Sequence, residues 1–210
     1  MNPIERERLQ WTALTMIGLI AGIALALPLG VPIFAVLGAM AGTPVVLSIV
    51  GLGLGTAQWP IVRRHLSSSA WWIAASVLGM AVGLTVGVVI VEQAGRALTG
   101  GPINFRMLGT AARALSFATL GFVAGASLGL AQWLVLRRQS ARSRGWILVN
   151  AWSLGLGLAF GSLLADALVA RTGSVLSAGI LFVMGSAFAG VCTARALARM
   201  FPPSASLARR

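Results

Sequence analysis

The chain has 210 residues, 58% of them apolar and only 10% charged, with a mean hydropathy of +0.91. Those values exclude an ordinary soluble domain and call for the lipid bilayer as solvent. The formal charge of +12 comes from 16 arginines against Glu5, Glu7, Glu92 and Asp166. Because the charges stand at the ends of apolar runs, with no basic soluble domain beside them, nucleic acid is not an expected partner.

In chain order, residues 1–10 are polar, and an apolar helix over 11–28 follows that matches later helices of the chain and is therefore read as retained rather than as a cleaved signal. Pro28, Gly30 and Pro32 are expected to end it. The second helix is placed at 34–62 with a kink at Pro44, the third at 70–97, the fourth at 107–136, the fifth at 146–169 and the sixth at 175–200. Residues 201–210, with Pro202 and Pro203, read as a flexible tail. The longest polar connection, 98–105, is too short for a domain, so 1–210 is one all-α transmembrane domain. A β-barrel would instead alternate polar and apolar residues in segments of about 10.

With six spans, Arg6, Arg8, Arg63, Arg64, Arg137, Arg138, Arg142, Arg144, Arg195, Arg199, Arg209 and Arg210 share one side. Arg96, Arg106, Arg113 and Arg171 fall on the other, which predicts cytoplasmic N and C termini. Trp11, Trp59, Trp71, Trp72, Trp133 and Trp146 lie at the same boundary as the larger arginine group and read as a one-sided interfacial belt.

The organisation is repetitive. Gly55-Thr56-Ala57-Gln58-Trp59, followed by Arg63-Arg64, returns 74 residues later as Gly129-Leu130-Ala131-Gln132-Trp133, followed by Arg137-Arg138. The helix opening Trp72-x-x-x-Ser76-x-x-Gly79-x-x-x-Gly83 returns at the same offset as Trp146-x-x-x-Asn150-x-x-Ser153-x-x-x-Gly157. A shift of 135 residues relates Trp11-x-x-x-Thr15-x-x-Gly18 to the Trp146 helix and places Gly190, Thr193 and Arg199 on Gly55, Gln58 and Arg64. Three such hairpins close most simply into a pseudo-threefold ring of six helices. The small residues Gly51, Gly55, Gly79, Gly83, Gly125, Gly129, Gly157 and Gly161 read as faces for close helix packing, since lipid supplies no hydrophobic drive for helix association.

Over residues 45–161 the chain resembles a family of uncharacterised bacterial multi-pass membrane proteins with the repeated Gly-x-x-x-Gly-x-x-Gln-Trp and Arg-Arg hairpin motif. The resemblance implies a bacterial inner (cytoplasmic) membrane and a packing and topology signature, with no activity to carry over. In the last copy Thr193 replaces the Gln, Ala194 the Trp and Ala198 the first Arg.

Two sets of residues are candidates for a site. Gln58, Gln132, Asn150, Ser76, Thr15 and Thr193 occupy equivalent positions one to two turns inside the arginine-rich boundary and form a candidate polar ring. It would serve either as a solute or ion vestibule, or as a ligand set for a pigment or cation, or simply as hydrogen bonds between helices, the reading preferred here. Glu92 and Asp166 are equivalent under the 74-residue shift and sit near the opposite boundary, either as outer carboxylates that gather cations or as local partners of Arg96 and of Arg113 or Arg171.

Arg63, Arg64, Arg137 and Arg138 suit anionic lipid headgroups. His65 reads as a solvated loop residue and Cys192, the one cysteine, as a small buried one. No nucleophile and base pair, metal-ligand spacing, phosphate loop or cofactor fingerprint occurs, so no enzyme, metal or cofactor is expected. The sequence favours a non-enzymatic structural or accessory protein packing through its glycine faces with copies of itself or a larger membrane complex. The alternative is a small channel or transporter along the bundle axis.

Overall fold

The structure, a computed structural model, describes residues 2–66, 69–101, 108–137, 140–172 and 177–201. These residues are helical apart from short connections, with no strand among them: α1 (Pro3–His65), α2 (Ala70–Thr99), α3 (Thr110–Leu136), a 3-10 turn (Ala141–Gly145), α4 (Trp146–Thr172) and α5 (Ser177–Met200). Among the described residues α1, α2, α3 and α4 are long and apolar enough to cross a membrane. Arg138, the tail beyond Phe201 and the expected helix starts at 107 and 175 lie outside the described residues.

Two separate helices are expected before residue 65, and the structure has one element of 63 residues. Straight, it would run about 95 Å, some three times the ~30 Å hydrocarbon core. It breaks at Gly38 (φ 69°, ψ 172°), so that residues 3–37 and 39–65 form two arms lying against each other. The expected stop at Pro28-Gly30-Pro32 does not occur. Proline is tolerated in apolar helices, and between Pro28 and Pro32 a Cβ on Gly30 would be in ordinary contact with Phe34 of its own arm and Val46 of the opposing arm. The reversal falls instead where the backbone needs a conformation open essentially to glycine alone. Gly38→Ala is expected to lower unfolding stability by ~1–3 kcal/mol through backbone strain, with no clash because nothing lies within 4 Å, as thermal unfolding in detergent would read.

Pro44 lies inside the second arm, where the Thr43 hydroxyl donates to the Ala39 carbonyl (2.8 Å). At the end of α2, Gly100 (φ 73°) supplies the left-handed cap, its N–H donating to the Arg96 carbonyl (2.9 Å).

Each helix packs on its neighbours in sequence, and α5 returns to pack on α1. Every seam is lined by glycine. A Cβ at Gly22, Gly83 or Gly157 would lie 2.8, 2.7 or 2.9 Å from the Cα of Val50, Ala124 or Gly185, between the two α1 arms, α2 and α3, and α4 and α5. A Cβ at Gly55, Gly129 or Gly190 would lie 3.0, 2.9 or 3.1 Å from the Cα of Ile73, Ile147 or Thr12, in the three remaining seams. These two contacts each occur three times, related by the 74- and 135-residue shifts of the sequence.

Candidate functional site at the tryptophan end

One end of the bundle gathers the start of α1, the end of its second arm, the starts of α2 and α4 and the ends of α3 and α5. Three tryptophans meet there. The indoles of Trp11, Trp72 and Trp146 form a triangle with ring centroids 5.9–6.2 Å apart and interplanar angles of 58–73°, the tilted and edge-on arrangement that aromatic quadrupoles favour. Their exposures are 0%, 0% and 1%, which corrects their reading as interfacial anchors. Trp71 is 69% exposed. The signal for the burial was present: Trp11, Trp72 and Trp146 each precede a polar-ring residue by four positions, hence share its helix face.

Beneath the triangle lies the polar layer. All six candidate residues, Thr15, Gln58, Ser76, Gln132, Asn150 and Thr193, are buried. The Trp72 Nε1–H donates to Gln58 Oε1 (3.1 Å), and Gln58 Nε2 donates to Thr15 Oγ1 (2.9 Å). One repeat on, the Trp146 Nε1–H donates to Gln132 Oε1 (3.0 Å) and Gln132 Nε2 to Ser76 Oγ (3.0 Å), whose hydroxyl donates to the Trp72 carbonyl (2.9 Å). In the third position the Trp11 Nε1–H donates to Thr193 Oγ1 (2.9 Å), and Thr193 donates back to the Ala189 carbonyl (2.6 Å).

Threonine has no amide to pass on. Asn150, where such an amide would arrive, donates instead to the Trp146 carbonyl (2.9 Å). A void of about 20 Å³ touches Thr15, Gln58, Asn150 and Thr193, enough for about one water. Thr193→Gln is expected to restore the third amide link and raise unfolding stability by ~1 kcal/mol, read as a higher thermal midpoint. An unchanged or lower midpoint would show that the void does not take the longer side chain.

Around the rim, the Arg63 guanidinium lies 4.8 Å from the Trp59 ring centroid and that of Arg137 lies 5.3 Å from Trp133, the same i, i+4 cation–π pair in both repeats. Arg64 is exposed. His65 is not a free loop residue: its Nε2 lies 2.6 Å from Glu7 Oε1 and its ring stacks on Phe201, tying both ends of α1 to the end of α5. Cys192 is half-buried.

At the opposite end the two carboxylates are kept apart, on α2 and α4, whose backbones do not come together although Trp72 and Trp146 meet at the tryptophan end. Glu92 pairs with Arg96 one turn on, while Asp166 Oδ1 lies 3.0 Å from Arg113 Nη1 across the α3–α4 seam. Among the described residues no three His, Cys, Asp or Glu side chains converge as a metal would require.

The candidate packing glycines face the chain's own helices. A Cβ at Gly51 would strike the Ser76 backbone and one at Gly125 the Asn150 backbone. Gly79 abuts Leu128, Gly161 is buried in α4, and Gly55, Gly83, Gly129 and Gly157 line seams described above. A partner would therefore meet other surfaces.

Compared with protein-family models, curated proteins and solved structures, the chain matches none.

Proposed function

We propose that the chain is a non-enzymatic, six-span protein of a bacterial inner membrane, arranged as a pseudo-threefold ring with both termini cytoplasmic, and that it acts as a structural or accessory subunit. In this reading the two arms of α1 and α5 each count as a span beside α2, α3 and α4, and the arginine-rich tryptophan end faces the cytoplasm. The observation that carries the accessory reading is the use of both ends of the Gln58 and Gln132 amides within the chain, under three tryptophans that fill the axis. A solute path needs polar groups free to replace hydration, and these are engaged.

With the glycine faces used internally, association with copies or with other membrane proteins falls to the outward apolar surface, where Leu78, Val82, Leu130 and Leu148 stand exposed. Arg63, Arg64 and Arg137 suit anionic headgroups at its cytoplasmic rim.

Gentle isolation from native membranes, followed by native mass and peptide analysis, is expected to give a homo-oligomer or a stoichiometric partner. A lone monomer, together with liposome flux that Gln58→Leu or Gln132→Leu abolishes, would overturn this reading in favour of a channel.

A further inference from the structure

Beyond the polar layer, the half of the bundle toward Gly38 is not filled. A cavity of about 390 Å³ lies there, walled by both arms of α1 and by α2, α3, α4 and α5. Leu19, Met80 and Leu154 form its floor and also border the small polar void, so an apolar layer separates the two spaces. Its sides include Ala26, Val50, Leu84 and Leu158. The one polar side chain among the described lining residues, Ser186, donates its hydroxyl to the Val183 carbonyl (2.9 Å).

Three properties identify what belongs in this space. Among its described lining residues only the Ser186 oxygen is left to accept from water or a headgroup, and apolar cavities of smaller volume stay dry and accept hydrocarbon. From Leu19 to Phe34 the first arm rises 15 residues along it, about 22 Å, against the ~15 Å that one leaflet contributes to the hydrocarbon core. It is also open: Leu27 and Val31, one turn apart on the first arm, line it yet are 71% and 75% exposed.

The geometry points to a binding site for one acyl chain of a phospholipid, inserted from the leaflet at the Gly38 end past Leu27 and Val31 and resting on the Leu19–Met80–Leu154 floor. The chain completes the core of that half of the bundle, where the glycine seams hold the helices in place and prevent collapse. The inference rests on the membrane reading, not on the accessory role. A lone monomer that retains a lipid and conducts through the Gln58 and Gln132 layer would remove that role and leave this site standing.

The experiment uses the full chain in phosphatidylethanolamine and phosphatidylglycerol vesicles in which one acyl chain carries a mid-chain diazirine. After photolysis, inward positions such as Val50, Leu84 and Leu158 are expected to be labelled to saturation at one lipid per chain. Leu78 and Val82, 64% and 56% exposed on the outside of α2, are labelled in proportion to bulk lipid. Ala26→Phe with Leu84→Trp fills the space and is expected to reduce inward labelling at least tenfold, leaving the outward labels unchanged. Inward labelling no stronger than background, or equal in the filled variant, overturns the site. Should that variant fail to fold, native mass spectrometry of the wild type after detergent washing decides: one retained phospholipid per chain supports the site, and none refutes it.

Discussion

Trp72→Ala is expected to lower unfolding stability by ~3–5 kcal/mol, among the largest effects of any single substitution in this chain. Trp72 is fully buried, meets Trp11 edge-on and Trp146 at a tilt, and donates to Gln58. Truncation leaves a cavity at the closure of the bundle and an unpaired carbonyl oxygen on a buried amide. Trp72→Phe loses the N–H in full but keeps one of the two fused rings, so it leaves a smaller cavity than alanine does. A cost of ~1–3 kcal/mol is expected for it. Trp71→Ala, one residue away and exposed, is expected to change stability by less than ~0.5 kcal/mol. Reversible unfolding in mixed micelles, followed by tryptophan emission with circular dichroism as a second probe, distinguishes the three. Equal losses for Trp71→Ala and Trp72→Ala would refute the central triangle.

Gly125→Ala is the second large effect. A methyl group there would be driven into the Asn150 backbone, and neither element can yield as a flexible side chain would. The α3–α4 seam must open, which is expected to cost ~3 kcal/mol, the upper part of the range for overpacking. Opening it also disturbs Gln132, since Trp146, its donor, leads α4. Gly51→Ala is expected to behave alike, because its repeat-equivalent neighbour is the Ser76 backbone. Gly145→Ala is the control: nothing lies within 4 Å and its backbone needs no left-handed conformation, so stability should hold or rise by ~0.4–1 kcal/mol.

The sequence alone determined the features that repeat and the chemistry of the solvent. Apolar runs long enough for a bilayer required helices, because hydrocarbon offers no partner to a free peptide group. The 74- and 135-residue shifts grouped Thr15, Gln58, Ser76, Gln132, Asn150 and Thr193 into one layer, and the structure places all six there, buried and joined in part by hydrogen bonds. The i, i+4 spacing likewise anticipated the Glu92–Arg96 pair.

Tertiary structure decided what depends on which of several permitted conformations the surroundings support. The helix continues through the prolines at 28 and 32, and the reversal falls at Gly38, whose backbone angles are open essentially to glycine. A tryptophan at a helix start suits an interface or a core equally well by composition; the four-residue spacing puts Trp11, Trp72 and Trp146 on the polar-layer face, and the convergence of three helices brings their indoles into contact. The apolar cavity was invisible for the same reason. A space is a property of several helices held apart by their seams, and no single stretch of sequence encodes it.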